Sequence, residues 1–317
     1  MLCLALWLLP AAGLAASLPD PQMLLPEAVE LSADRPAERF RTPYHIIKDC
    51  MTVSSEDGRY FHKAGGDEAA VCGVYLLTDP DRTVEVRFDR LDVPCAQGGL
   101  VSFVDGWEMN RQFFPSPSDH PKPLALRYHE FCGGDDRKLK KQVFESSQNA
   151  ALVQYRIPAR GKGFSFSVRF PKNSTPCNIL LEGAADVYTL RNYGKRANCS
   201  LTSLYPAAVK VLSLDVGLAN PERGLEVETG TLHKCRKRGL PDYVELGGSE
   251  GLDTSRLVVA DSVCGLDSKP GSTLETILCE VTTVRLVSSG QFDNSVTVSL
   301  RQAGEEDVSE AALVCGY

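Results

Sequence analysis

Two stretches decide the fold: Cys95-Ala-Gln-Gly-Gly-Leu-Val-Ser-Phe-Val-Asp-Gly106 and Cys235-Arg-Lys-Arg-Gly-Leu-Pro-Asp-Tyr-Val-Glu-Leu-Gly247. In each, a cysteine is followed within five residues by Gly-Leu (Gly99-Leu100, Gly239-Leu240) and then by a strand-like apolar run that ends at glycine. The match extends outward. Upstream, Cys50 and Cys72 stand 22 residues apart (72 − 50), as do Cys177 and Cys199 (199 − 177). Downstream, each copy reaches an apolar residue, a cysteine and a glycine, Phe131-Cys132-Gly133 and Val263-Cys264-Gly265. Each then closes on an apolar run and an alternating strand: Ala151-Leu152-Val153 before Phe164 to Phe170, and Val284 to Val287 before Val296 to Leu300. One unit is written twice, which divides the chain more firmly than its length does.

The unit is a β unit. Apolar residues recur at every second position in Val84/Val86/Phe88, Phe164/Phe166/Val168/Phe170, Val209/Val211 and Val296/Val298/Leu300, the period that puts one apolar row on a sheet face. Turn-forming clusters such as Asp79-Pro80-Asp81, Gly161-Lys162-Gly163 and Asp293-Asn294 separate them. Many short antiparallel strands of this kind predict sandwiches. The expected organisation is a signal peptide at 1–17, a leader segment at 18–43, a first domain at 44–172 and a second at 173–317.

Composition sets the compartment and excludes several function classes. The 317 residues are 43% hydrophobic and 24% charged, well away from the profile of disordered chains. A formal net charge of −7 argues against a general binder of nucleic acid or anionic membrane, which needs a basic field. Leu2 to Ala16 is an uncharged apolar run interrupted by Pro10, too short to span about 30 Å of hydrocarbon and ending in small residues that suit a signal peptidase. Export to the extracellular space is the expectation.

Cysteine usage agrees with export. Cys3 leaves with the signal, and ten cysteines remain with no C-x-x-C pair. Pairing within copies predicts Cys50–Cys72, Cys95–Cys132, Cys177–Cys199 and Cys235–Cys264, with Cys279–Cys315 as an extra bridge at the C-terminal end. Loops of this size each stabilise by roughly 3 kcal/mol in the chain-entropy treatment. Asn173-Ser-Thr and Asn198-Cys-Ser are sequons, so Asn173 and Asn198 are the expected glycosylation sites. His129 and Cys132 are too isolated to suggest a zinc site, and neither metal nor other cofactor is expected.

No catalytic constellation survives inspection. Gly247-Gly-Ser249-Glu-Gly251 fits the pattern of a hydrolase nucleophile elbow, but no convincing helix follows Ser249, and the last histidine, His233, precedes it. A hairpin loop is the better reading. His45, His62, His120 and His129 are scattered, and the basic runs Arg137 to Lys141 and Arg236 to Arg238 read as solvated loops. No enzymatic activity is expected.

The layout of each copy resembles a CUB domain. Within that fold, Phe103-Val-Asp-Gly-Trp107, Phe114-Pro-Ser116, Asp119-His-Pro121, Tyr128-His-Glu-Phe-Cys132 and Ser146-Ser-Gln-Asn149 resemble the corticotropin-releasing factor-binding protein family. So do Asn198-Cys-Ser200, Tyr205-Pro206, Tyr243-Val-Glu-Leu-Gly-Gly248 and Val287-Ser-Ser-Gly290 in the second copy, in the same order as all ten cysteines. The resemblance covers about Tyr44 to Cys315. It implies an all-β chain of two tandem CUB-like antiparallel sandwiches stapled by disulfides, secreted and non-catalytic. Its partner would be an amidated helical hormone of the corticotropin-releasing factor, urocortin or diuretic-hormone group, sequestered away from its receptor. An unstructured peptide that folds on binding lays one apolar helix face into a groove.

Two departures from the patterns bear on the site. Vertebrate relatives carry basic and acidic side chains around the first cysteine, whereas here His45-Ile46 and Met51-Thr52 flank Cys50 and Asp49 is the nearest acid. That difference suits an invertebrate member. Calcium-binding CUB domains share a Tyr, a Glu and two Asp; the first copy has Gly98-Gly99 and Ile157-Pro158 where the aspartates belong, and the second retains Asp242. A calcium-dependent adhesion or matrix module is the alternative reading. The hormone site is expected on the first copy at Tyr44, His45, Asp49 and Thr52 and at Trp107, the single tryptophan left after signal removal and a candidate aromatic anchor.

Overall fold

The computed structural model describes residues 43–66, 70–134, 139–183, 186–220, 224–226, 229–271 and 274–315. The signal peptide expected at 1–17, all but the last residue of the leader, and Arg137 and Lys138 of the first basic run lie outside the described residues. In the first half the strands are β1 (Tyr44–Ile46), β2 (Met51–Ser54), β3 (Gly58–Lys63), β4 (Cys72–Leu77), β5 (Glu85–Asp92), β6 (Leu100–Asp105), β7 (Trp107–Met109), β8 (Gln112–Phe114), β9 (Tyr128–Phe131), β10 (Phe144–Glu145), β11 (Ala150–Arg156) and β12 (Gly163–Arg169). They form two five-stranded sheets, β1-β3-β12-β5-β10 and β2-β4-β11-β6-β9, with β7 and β8 as a separate hairpin.

β12 shows how the sequence makes the sandwich. Phe164, Phe166 and Val168 are buried and the serines between them are half-buried, as period-two alternation requires. They share one core with Tyr60, Phe88 and Phe103, with Tyr60 stacked on Phe166 at 5.1 Å. Each such side chain contributes roughly 1.5–3 kcal/mol by leaving water.

The second half contains β13 (Asn178–Leu181), β14 (Asp186–Arg191), β15 (Ala197–Ser203), β16 (Ala207–Val216), β17 (Leu218–Asn220), β18 (Gly224–Glu226), β19 (Gly230–His233), β20 (Tyr243–Ser249), β21 (Val258–Asp267), β22 (Leu274–Leu278), β23 (Val281–Ser288), β24 (Ser295–Gln302) and β25 (Ala311–Val314). Apart from the β17–β18 hairpin they make one continuous sheet. β21 pairs with β20 through Val258–Val263 and with β16 through Gly265–Asp267, so a single strand passes from one layer to the other. Between the layers lies a second core containing Leu190, Leu201, Val209, Val244, Val284 and Val298.

The duplication is visible in the edge strands. β2 runs parallel to β4, and β13 runs parallel to β15. Each pair is pinned by the disulfide that flanks it, Cys50–Cys72 and Cys177–Cys199, at Cα separations of 4.6 and 4.5 Å. The remaining bridges are Cys95–Cys132, Cys235–Cys264 and Cys279–Cys315, the last tying β25 to the end of β22.

Thr42–Tyr317 is one compact unit, because the two sandwiches share a third apolar cluster. Tyr75, Leu77, Val104, Trp107, Phe114 and Leu152 from the first half pack there with Leu180 and Leu252 from the second. β4 is consequently buried along its whole length: Val74 and Leu76 fill the first core while Tyr75 and Leu77 face the second sandwich.

Candidate functional site

The two edge strands of the first sandwich flank a cleft of about 650 Å³. β1 adds parallel to β3 at the edge of one sheet, and β2 adds parallel to β4 at the edge of the other. Gly58, at φ +132°, permits the first of these contacts, since a Cβ there would come within 2.7 Å of the Pro43 carbonyl and 2.9 Å of the His45 ring. Cys50–Cys72 holds the second.

Inward-facing side chains furnish the cleft with polar groups. His45 stacks on Tyr60 at 4.6 Å, places Nδ1 3.2 Å from Glu56 Oε2 and points Nε2 at the Asp57 carbonyl, 3.0 Å away. The Tyr60 hydroxyl donates to the Glu56 carbonyl and accepts from Ser54 Oγ, both at 2.6 Å. Burial pushes the Tyr60 phenol up, an effect the Ser54 bond offsets only in part, so the group stays a neutral donor. Thr52 donates its hydroxyl to the Asp49 carbonyl at 3.3 Å, while Asp49 itself is exposed and outside the lining.

The rim is apolar and uncovered. Tyr44, Ile46, Met51 and Val53 are 55–60% exposed, an unusual concentration of large apolar side chains on two short strands. Tyr44, His45 and Thr52 therefore fall in one place, with Asp49 at its margin. Sequence reading took in the flank of Cys50 without singling out Ile46 and Met51 and stopped short of Val53, although the signal was there: two apolar pairs at period two on either side of Cys50.

Trp107, which could be either an anchor for the hormone or a cap on the sandwich core, lies elsewhere and is buried. Its side chain is buried in the cluster shared by the sandwiches, edge-on to Tyr75 at 5.1 Å, and its Nε1 donates to the Leu76 carbonyl at 2.9 Å. The indole caps the outer face of β4, where the second half covers it.

The loop from Gly106 to Arg127 fastens the halves together with buried charge. Arg127 is fully buried and donates to the carbonyls of Asp105, Phe114 and Pro115 at 2.8–3.1 Å. Asp119, on the same loop, accepts from Arg285 and from Thr254 Oγ1, both at 2.6 Å at closest. Arg285 also reaches Glu245 at 3.0 Å, and Glu245 meets Arg236 at 2.9 Å. These partners are invisible in the sequence because 166 residues separate Asp119 from Arg285.

Two other sequence features resolve into packing. Gly247, Gly248 and Ser249 belong to β20, not to a hairpin loop; a Cβ at Gly248 would lie 2.5 Å from Cys279 Sγ, and the Ser249 hydroxyl donates to the Gly251 carbonyl. Asp242 accepts from Ser289 N, Ser289 Oγ and Asn294 Nδ2 at 2.6–2.9 Å, so its carboxylate is occupied by donors of the chain itself. Among the described residues no group of three or more His, Cys, Asp or Glu is placed to hold a metal ion. No helix among them is long and apolar enough to cross a membrane.

Comparison with known proteins gives a consistent result. The family model for the corticotropin-releasing factor binding protein N-terminal domain matches residues 42–172, and the model for the C-terminal domain matches 179–309. The corticotropin-releasing factor-binding protein of Homo sapiens is 30% identical over 260 residues, 82% of this chain and 77% of that protein. The Mus musculus protein is 30% identical over 287 residues, 90% and 84% of the respective chains. Among solved structures, the CUB1-EGF-CUB2 domains of rat MASP-1 align with 79% of this chain and 99% of theirs, at 12% identity and a TM-score of 0.27.

Proposed function

The chain belongs to the corticotropin-releasing factor-binding protein family, and from that membership we propose that it is a secreted protein that sequesters a corticotropin-releasing-factor-, urocortin- or diuretic-hormone-like peptide and so limits receptor activation. Its signal peptide would occupy 1–17, its two CUB-like domains 44–172 and 173–317, and its glycans Asn173 and Asn198. The hormone site is the cleft between β1 and β2, including Tyr44, His45 and Thr52, with Ile46 and Val53 on its rim and Asp49 beside it.

One observation carries the location: this edge of the first sandwich is apolar and open, whereas the equivalent strand of the second is buried. Dimensions agree. Facing sheets lie about 10 Å apart and an α-helix with its side chains is about 10–12 Å across, so a helix can lie along the edge and touch strands of both sheets. The peptide's amphipathic face meets Tyr44, Ile46 and Val53, while its polar groups meet His45, Thr52 and Glu56.

Retention of a labelled peptide of this group by the recombinant chain in EDTA tests the reading. Binding in EDTA with loss on Tyr44→Ser/Ile46→Ser supports it. Absent binding at micromolar concentrations, together with calcium-promoted attachment to matrix glycoproteins, would establish the adhesion alternative instead, against which the filled Asp242 carboxylate already argues.

A further inference from the structure

Four of the five residues in Lys234-Cys-Arg-Lys-Arg238 are cationic, in a chain of formal net charge −7. The loop is arranged to hold them outward. Cys235 is fully buried and bridged to Cys264, and the turn is closed by hydrogen bonds from Arg238 N to the Lys234 and Cys235 carbonyls and from Gly239 N to the Arg236 carbonyl. Arg236 bends back to Glu245, but the side chains of the exposed Lys234, Lys237 and Arg238 have no carboxylate partner among the described residues.

A second loop at the same end adds Lys195 and Arg196, also exposed and without carboxylate partners among the described residues. Strand order brings the loops together: Ala197 of β15 pairs with Ser288 of β23, and Tyr243 of β20 pairs with Val287 of β23. The Pro241 end of the first loop lies two strand spacings, about 10 Å, from the second, comparable with the screening length at 0.1 M salt, while Lys234 follows β19 on the far side of β21, so the cations form an extended row along which a polyanion can lie. Lys195, Arg196 and Pro241 also border a cleft of about 940 Å³ between the sandwiches, floored with side-chain amides and hydroxyls such as Gln148, Ser288 and Gln291. The carboxylate in that lining, Asp119, is neutralised by Arg285.

We propose that Lys195, Arg196, Lys234, Lys237 and Arg238 form a binding surface for a sulfated polysaccharide. Sulfates meet the cationic rim, and sugar hydroxyls meet the amide-lined cleft beside it. Clusters of this composition mark either nucleic-acid or heparin-like ligands, and the surroundings favour the latter. Bases need aromatic platforms, yet of the two aromatic rings in the lining the His120 side chain is buried, and Tyr193 is already covered by the Arg191 guanidinium at 5.6 Å from the ring centroid. The surface is separate from the hormone cleft, so a bound polysaccharide could retain the protein at a cell surface or matrix without occupying that cleft.

Heparin-affinity chromatography of the full chain tests this. The wild type should be retained in 0.1 M-range salt and released by more, because ion release drives such binding. Lys195→Ala/Arg196→Ala and Lys237→Ala/Arg238→Ala should each weaken heparin affinity about tenfold, with unchanged circular dichroism and unchanged hormone-peptide affinity. Flow-through of the wild type, elution of both variants at the wild-type salt, or equal retention on unsulfated hyaluronan, poly-glutamate or single-stranded DNA would overturn it. Failure of hormone binding alone would leave it standing, since the readouts are independent.

Discussion

The same strand meets opposite fates in the two halves of the molecule. β2 and β13 each follow the first cysteine of a 22-residue pair, and each runs parallel to the strand that carries or flanks the second. β2 leaves Met51 and Val53 more than half exposed, whereas all four residues of β13 are buried. Leu180 enters the cluster around Trp107, and its backbone is clasped at both ends by the Asn149 side chain, at 2.8 and 3.0 Å. β1 widens the contrast: it covers the edge of β3, while among the described residues β14 pairs only with β24. Duplication thus supplied two equivalent edges, one now consumed in joining the halves and one left for a partner.

The largest expected effect comes from breaking the junction. Arg285→Ala strands the Asp119 carboxylate, 0% exposed, without its cation and leaves the buried Glu245 with Arg236 alone. Loss of one member of such a buried set should cost about 3–5 kcal/mol, measurable as a lower midpoint in urea unfolding. An unchanged midpoint would mean that the sandwiches do not depend on this contact.

Next in size are the apolar contacts that distinguish β13 from β2. Leu180→Ala should destabilise by about 2–5 kcal/mol, while Val53→Ala, at the corresponding edge, should fall within about 0.5 kcal/mol of wild type. Equal effects would erase the distinction. Trp107→Phe should lose about 1–3 kcal/mol through its unpaired Leu76 carbonyl and smaller ring, yet leave peptide affinity unchanged. A selective loss of affinity would return Trp107 to the hormone site.

A smaller effect, in affinity and not in stability, is expected at the open edge. Tyr44→Ser/Ile46→Ser removes exposed apolar surface, so folding should be nearly unaffected while peptide binding weakens roughly 10- to 100-fold by titration. The mirror substitution Val187→Ser, on exposed β14 of the second half, should do neither.

The last comparison is one of pH. Burial alone would raise the Asp105 carboxyl, but the approach of His120, Lys122 Nζ at 2.7 Å and Ser147 N outweigh it and hold the group well below the ordinary carboxylate range. His120 Nε2 lies 3.4 Å from Oδ1 without forming a hydrogen bond. A group depressed in the folded state stabilises fully above its unfolded pKa of about 3.9 and loses that contribution as pH falls through the range below it. Stability should therefore decline below about pH 4, and Asp105→Asn should flatten that decline. An identical acid limb in the variant would exclude Asp105 as its source.

Much of this architecture was readable from local pattern. Cysteine spacing exposed the duplication, period-two rows such as Phe164, Phe166 and Val168 marked strands and their inner faces, and the family motifs pointed to the flank of Cys50. Periodicity reaches its limit where a strand is apolar on both faces: Cys72 to Leu77 carries no alternation, because Tyr75 and Leu77 face another sandwich and not water.

Sequence by itself determined the number of units, their β character, the pairing logic of the cysteines and the kinship, because each is written in spacing or in short motifs. Tertiary structure alone decided that Trp107 is interior, that Asp119 and Arg285 meet across 166 residues, and that one of two equivalent edges stays open. The physical reason is that a strand's local pattern specifies which side chains must leave water, while what covers them depends on chain segments far away in sequence.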